Sequence, residues 1–359
     1  MINIKRELKN IGIKPIEELS VQERTHIAEK VAAKLASLNI VGLSHNEILE
    51  KLFEAKMYTA QMRSDLGKVS YFYKNKTIYF DKNLNLTEID ENILRESIHY
   101  LQDQKDLKDS KGQRAPSNKI NKNEKISKMG LCTFEEFKVR GMALNEIGIN
   151  YISNKLLNKY NKNKTYILLK QILLITGEEA FLDSLLNNSN KFEEKFMEQT
   201  NSEVLYYKMQ NTLDSMFDLE QIIKRLNQEG RSSRNPEKYL TKINMHKHTL
   251  NSKFAEIQWE IYTKYFSRKI ELIDQLKEIK DYKNEMFNFN QWLEMSEEEQ
   301  KYTNFAAEIF EKLNKIEMKI LKEKANNSMI LVGDSKLHQI IRKIKKIFFK
   351  PKEYGTNNR

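Results

Sequence analysis

Residues 94–103 read LRESIHYLQD, and Arg95, Glu96, Ser97, Ile98 and His99 differ at one place from the pattern H-E-x-x-H. In that pattern two histidines one helical turn apart hold a zinc ion, and the glutamate activates the water bound to it. Positions i and i+4 of a helix share a face, so residues 95 and 99 can both reach one ion, with Glu96 beside it as general base. A third ligand must come from another helix, and GMALNEIGINYIS, residues 141–153, supplies a candidate in Glu146, directly after Asn145.

The elements that must hold these residues in place are legible around them. Residues 20–62 carry apolar residues at helical spacing, with Ser20 and Ser44 placed to cap two helices broken at Gly42. VSYFYKNKTIYFDKNL then changes period, aromatic and β-branched on both sides of a polar KNK, which predicts a hairpin. Tyr71, Phe72, Tyr73 and Tyr79 in it fit sheet packing better than a stacking platform for bases. LTEIDENILRESIHYLQ returns to helix, with Thr87 as the expected cap and Leu94, Ile98 and Leu101 on one buried face. Residues 103–129 mix charge with Ser, Asn, Gly and Pro, and are expected to form a long exposed loop able to cover a cleft between the two motif helices. Beyond it helices resume, with TGEE as a break and restart. A polar stretch at 227–239 separates a carboxy-terminal helical region in which 250–283 and 297–325 read as long amphipathic helices, with Trp259 and Trp292 anchoring their packing.

Taken together, the aromatic hairpin, the RESIHYLQ helix, the charged loop and the ALNEIGINYIS helix resemble a bacterial branch of the zincin-like, gluzincin-type metallopeptidases. In that branch an HExxHYLQ helix is followed by a G-x-x-LNE-G helix whose glutamate completes the zinc site. The resemblance runs over roughly residues 45–200, from the edge strand TIYF before the motif helix to ITGEEAFLDSLL after it. It implies that His99 and Glu146 are metal ligands, that Glu96 is the catalytic base, and that Asn145 and Tyr100 lie near the site. Arg95 stands where the first zinc histidine belongs. A guanidinium carries only donors and stays protonated, so it cannot ligate zinc, whereas it can pair with Glu146 or Glu96. The implied fold is α+β and mainly helical: a zincin-like domain over residues 1–226 with a small antiparallel sheet or hairpin, and a helical region over 237–359.

The expected function is that of a non-catalytic, metallopeptidase-like protein that binds or scaffolds, with a protein or peptide in the cleft and no cofactor. One alternative is a zinc-dependent peptidase whose missing ligand comes from elsewhere. The remaining histidines, His26, His45, His246, His248 and His338, stand at no helical offset from His99, and His246 and His248 would share a face only on a strand. The other alternative is a membrane-surface adaptor. Residues 337–352 set Leu337, Ile340, Ile341, Ile344, Ile347 and Phe348 against Arg342, Lys343, Lys345 and Lys346, a basic amphipathic helix.

Composition bounds these readings. The formal charge of +11 is interleaved with Asn, Glu and Ile and forms no single dense block, which argues against nucleic acid as a partner. Cys132 is the single cysteine, so an internal disulfide and a Cys-based zinc knuckle are excluded. Four prolines and eleven glycines argue against a turn-rich β fold. No apolar run reaches the ~20 residues of a membrane span, and the amino terminus lacks the apolar core of a secretory signal, so the expected compartment is the cytoplasm.

Overall fold

The computed structural model describes residues 4–63, 66–103, 127–135, 138–159, 161–233, 235–290 and 299–329. Most of the expected loop (104–126), Trp292 and the basic helix at 337–352 lie outside them. In chain order the elements are α1 (Ile4–Ile11), β1 (Ile13–Glu18), α2 (Val21–Ala36), α3 (His45–Phe53), β2 (Lys56–Met62), β3 (Val69–Phe72), β4 (Thr77–Asp81) and α4 (Glu91–Asp103). There follow β5 (Ser127–Met129), β6 (Cys132–Glu135), β7 (Lys138–Arg140), α5 (Met142–Leu156), α6 (Lys164–Thr176), α7 (Glu178–Asn187), α8 (Lys191–Thr200) and α9 (Glu203–Arg231). The last three are α10 (Pro236–Glu271), α11 (Leu276–Asn290) and α12 (Glu299–Met329). The protein is mainly helical, as expected, and no described helix is long and apolar enough to cross a membrane.

The four-stranded sheet runs β1-β2-β4-β3, and it is mixed: β2 and β4 are parallel, while β1/β2 and β3/β4 are antiparallel. Two expectations change here. The segment Lys56–Met62 is a strand, although the three-residue spacing of its buried Met57 and Ala60 also fits a helix; hydrogen bonding to strands on both sides overrides that local signal. The hairpin forms at KNK, yet TIYF is an interior strand and VSYF is the edge. Thr77, Ile78, Tyr79 and Phe80 are all buried, as an interior strand covered on both faces requires. Tyr79 and Phe72 join Leu8, Ile13 and Ala60 in one cluster beside α1. By strand alternation Ile78 and Phe80 point to the opposite face.

Ser20 and Ser44 each close a capping box, with Glu23 and Glu47 respectively, as their spacing predicts. The expected cap of α4 is corrected. Asp90 Oδ1 accepts from Ile93 N at 2.9 Å, whereas Thr87 lies in a turn whose carbonyl accepts from Lys30 Nζ at 3.0 Å. The carboxy-terminal boundaries shift as well. Helix α9 continues through Arg231 before a short break, and the helix expected over 250–283 is two, since Leu272–Gln275 interrupts it. The end of the expected loop is also ordered: Ser127–Met129 pairs with β6 in a three-stranded antiparallel sheet, β5-β6-β7.

The chain divides into two compact units within α10, one through Tyr265 and one from Phe266. In the second, Phe266 and Tyr282 meet edge to face at 5.3 Å, and Tyr282 donates to the Phe266 carbonyl at 2.9 Å. Lys269 pairs with Glu285, and Ile309, Leu313 and Ile320 form the buried stripe of α12.

In the first unit a buried amide network fixes α4 against α5, α7 and the β5–β6 turn. Gln102 Nε2 donates to Asn145 Oδ1 at 3.0 Å and to the Leu185 carbonyl at 2.9 Å; Asn145 Nδ2 returns a bond to Gln102 Oε1 at 3.2 Å. Leu131 N donates to Asn145 Oδ1, and Gly130 N to Asn188 Oδ1. Gly130 is required at this turn: its φ is +61°, and a Cβ would stand 2.2 Å from Asn145 Oδ1 and 2.3 Å from Gln102 Nε2. Gly130→Ala is therefore expected to lower the unfolding free energy by about 2–4 kcal/mol, combining left-handed strain with a disrupted buried network. Gly42→Ala, at φ +71° with nothing within 4 Å of its Cβ position, should cost only the strain, about 1–2 kcal/mol. Urea denaturation of both variants tests the difference, and equal losses would contradict the packing described.

Candidate functional site

Helix α4 presents three adjacent stripes. Leu94, Ile98 and Leu101 are buried in the core. Arg95, His99 and Gln102, at i, i+4 and i+7, meet residues of α5. Glu96, Tyr100 and Asp103, one position on, meet Tyr71 of the edge strand.

On the first stripe the two ends of the expected motif converge with the expected third ligand. Arg95 Nη2 lies 3.1 Å from Glu146 Oε2, and His99 Nε2 lies 3.2 Å from Glu146 Oε1. One carboxylate oxygen thus faces the guanidinium and the other the imidazole. The cluster is partly sheltered, with side-chain exposures of 30% for Arg95, 23% for Glu146 and 13% for His99. Arg95 Nε is buried and has no hydrogen-bond partner among the described residues.

Glu146 is placed by its own helix. At the start of α5, Gly141 takes a φ of +71°, where a Cβ would stand 2.5 Å from the Leu131 carbonyl oxygen. Asp214 of α9 accepts from Ala143 N at 2.8 Å, supplying the cap that Gly141 lacks. Two residues past Glu146, Gly148 allows α5 to approach α7, since a Cβ there would lie 2.8 Å from Phe181 Cζ.

Glu96 projects the other way. Its Oε2 accepts from Tyr71 N at 2.8 Å, so the residue expected as catalytic base ties α4 to the outer edge of the sheet. The Tyr71 hydroxyl donates to Asp103, and the Tyr71 and Tyr100 rings meet edge to face at 5.8 Å. Burial pushes the Tyr100 hydroxyl up to about 12, so it stays protonated at neutral pH. Asn145 and Tyr100 therefore serve the amide network and the strand contact. Of the remaining histidines, His26 contacts the Thr87 carbonyl and His246 and His248 lie on α10, a helix as expected.

The donor chemistry does not fit a zinc ion. The first ligand position is a cation without a lone pair, both Glu146 oxygens are engaged by Arg95 and His99, and Glu96 is turned to a backbone N–H. Among the described residues no group of three or more His, Cys, Asp or Glu side chains is arranged to hold a metal.

Electrostatics follow the geometry. Burial pulls the His99 imidazole down, but the hydrogen bond and charge of Glu146, together with Glu96, outweigh it and hold His99 above its ordinary 6.5. Burial pushes Glu146 up, yet His99 and Arg95 hold its carboxyl below the ordinary 4.5. Glu96 is raised, burial being the largest cause. A histidine raised on folding adds stability that is complete below its ordinary value and is lost as pH climbs through its folded value. Glu96 acts in the same direction, its contribution disappearing as pH rises past the ordinary carboxylate range. Glu146 acts oppositely, contributing above 4.5 and losing that contribution as pH falls through its depressed value.

Stability measured by urea denaturation should therefore decline as pH rises above 6.5, by about 1–2 kcal/mol more in the native protein than in His99→Gln. Parallel profiles would mean that His99 and Glu146 are not paired. Arg95→Met should cost about 1–2 kcal/mol near neutral pH, because Glu146 keeps His99 as a partner, and should raise the His99 titration midpoint by removing a nearby cation.

Tyr71, Asp103, Gln102 and Asp214 complete the arrangement; the sequence pattern gave Tyr71 to sheet packing alone and assigned the other three no role. Gln102 and Asp103 continue the i+7 phase of the motif and were within reach of it; Tyr71 and Asp214 meet it only through tertiary structure. Compared with protein-family models, with characterised proteins and with solved structures, the chain matches none of them.

Proposed function

We propose that the protein is a non-catalytic, metallopeptidase-like binding or scaffold protein, in which an ion-paired cluster stands where a peptidase of this pattern would hold zinc. The observation that carries this reading is the shared carboxylate: Glu146 receives Arg95 on one oxygen and His99 on the other, and Glu96 accepts from the strand backbone. A metal would have to displace a guanidinium from its carboxylate, and the glutamate that should activate a water is already committed. The order and phase of the residues support descent from the peptidase pattern, since residues 95, 99 and 146 meet at one point as that pattern requires. The partner of such a protein would be a protein or peptide.

The reading is tested by metal content and by one substitution. Native protein purified without chelators should contain far less than one zinc per chain by elemental analysis. Arg95→His removes the excluding cation and supplies a third donor beside His99 and Glu146, and should bind zinc at about one per chain by calorimetric titration. Stoichiometric zinc in the native protein, lost in Glu146→Gln, would overturn the proposal. Failure of a folded Arg95→His to bind zinc would remove the descent argument.

A further inference from the structure

Charge is not spread evenly over the chain. Residues 221–253 hold eight Lys or Arg against two Glu, more than half of the protein's formal +11. The structure folds this stretch into the end of an antiparallel helical hairpin made by α9 and α10, joined by the short break around Ser232 and Ser233. Few apolar side chains in this stretch are buried. Leu226, Ile243 and Leu250 are buried, and Gly230 lies against Tyr239, with its Cβ position 3.1 Å from that side chain. Around them Lys224, Arg225, Arg231, Lys238, Lys242 and Lys247 are exposed. Among the described residues the one ion pair these six make is Arg225 with Glu229, at 3.9 Å. Elsewhere on helical surfaces lysines are interleaved with carboxylates, as in the Glu308–Lys312 and Glu311–Lys315 pairs of α12.

The chemistry around these cations narrows the partner. Exposed Asn227, Gln228, Asn235 and Asn244 add hydrogen-bonding groups of the kind that reach phosphate and sugar oxygens. A lipid-docking helix would instead show a continuous apolar face with aromatic residues. Here the exposed large apolar side chains are Leu240 and Met245, separated around the helix. The expectation that the positive charge is too dispersed for nucleic acid holds for most of the chain and fails at this hairpin. We propose that the α9–α10 hairpin docks on the phosphodiester backbone of nucleic acid, reading charge and spacing and not base sequence. From Lys238 to Lys247 the helix advances about 14 Å, on the order of four phosphate spacings of duplex axis along one strand.

The test is fluorescence anisotropy of the full chain with a labelled random-sequence duplex, DNA in one arm and RNA in the other, over about 50–200 mM salt. Two charge-matched variants are compared. One carries Lys224→Gln, Arg231→Gln, Lys238→Gln, Lys242→Gln and Lys247→Gln; the other carries Lys9→Gln, Lys14→Gln, Lys56→Gln, Lys68→Gln and Lys82→Gln, all exposed positions outside the hairpin. The hairpin variant should bind at least ~10-fold more weakly with a salt slope shallower by several units, while the second stays within ~3-fold of native. Should the fivefold hairpin variant fail to fold by circular dichroism, the pairs Lys224→Gln/Arg231→Gln and Lys238→Gln/Lys242→Gln carry the same comparison. Absence of binding by native protein, equal losses in the two variants, or equal competition by polyglutamate or phosphatidylserine vesicles at matched charge would each overturn the proposal. A preference between the DNA and RNA arms identifies the source of the backbone.

Discussion

Two oxygens of one carboxylate, shared between a guanidinium and an imidazole, set the relation between α4 and α5 on which the rest of the first unit is arranged. The constraint works because the donors sit one helical turn apart and their acceptor stands on a helix whose start is held by Asp214 and whose flank is stripped to glycine at residue 148. Three residues past His99, Gln102 repeats the contact with neutral groups, bonding Asn145 beside Glu146. The junction therefore has a charged end open in part to solvent and an uncharged end that is fully buried. That order is physically sensible: desolvating a charge costs several kcal/mol, whereas an amide pair satisfied on both sides can be buried at little net cost.

The same helical phase fixes which way these side chains face. Residues 95 and 99 must face α5 for the packing to work, and residue 96 must face the edge strand, whether or not a metal is present. Arg95 places a positive centre opposite Glu146 and satisfies one oxygen of its carboxylate by a hydrogen bond. A shorter neutral residue would leave Glu146 with His99 alone. Ion pairs of this kind contribute more to a unique arrangement of helices than to net stability, because much of the Coulombic gain offsets desolvation.

How much of this the amino-acid sequence disclosed depended on range. Periodicity exposed the Leu94, Ile98 and Leu101 face, the capping serines at 20 and 44, the hairpin at KNK and the break at Gly177, all features written within a few residues of one another. The pairing of Arg95 with Glu146 was legible because the resemblance to the peptidase pattern linked two distant helices. Strand β2 was not, since Met57 and Ala60 satisfy either period and only its neighbours on both sides decide between them. The contact of Glu96 with the edge strand was not legible for a related reason: its partner is a backbone N–H, and no side-chain motif encodes the direction in which an edge strand presents its donors.

Helix α9 ties the site to the basic hairpin within one rigid element. Its first half is embedded, with Leu205, Tyr206, Met209, Leu213 and Met216 buried, and from it Asp214 caps α5; just past its middle Glu220 accepts from Thr165 at the start of α6. Its second half keeps a single buried residue, Leu226, and carries the exposed cations. Substitutions at Asp214 or Glu220 would therefore loosen α5 or α6 without touching the hairpin's charge, whereas changes near Gly230 would alter the hairpin while leaving both caps intact. A load applied at the hairpin has a continuous covalent and hydrogen-bonded route to Ala143, three residues before Glu146. Such a route becomes coupling only where α5 has two arrangements, and the buried Gln102–Asn145 amide pair opposes a second one by holding that helix in a single register.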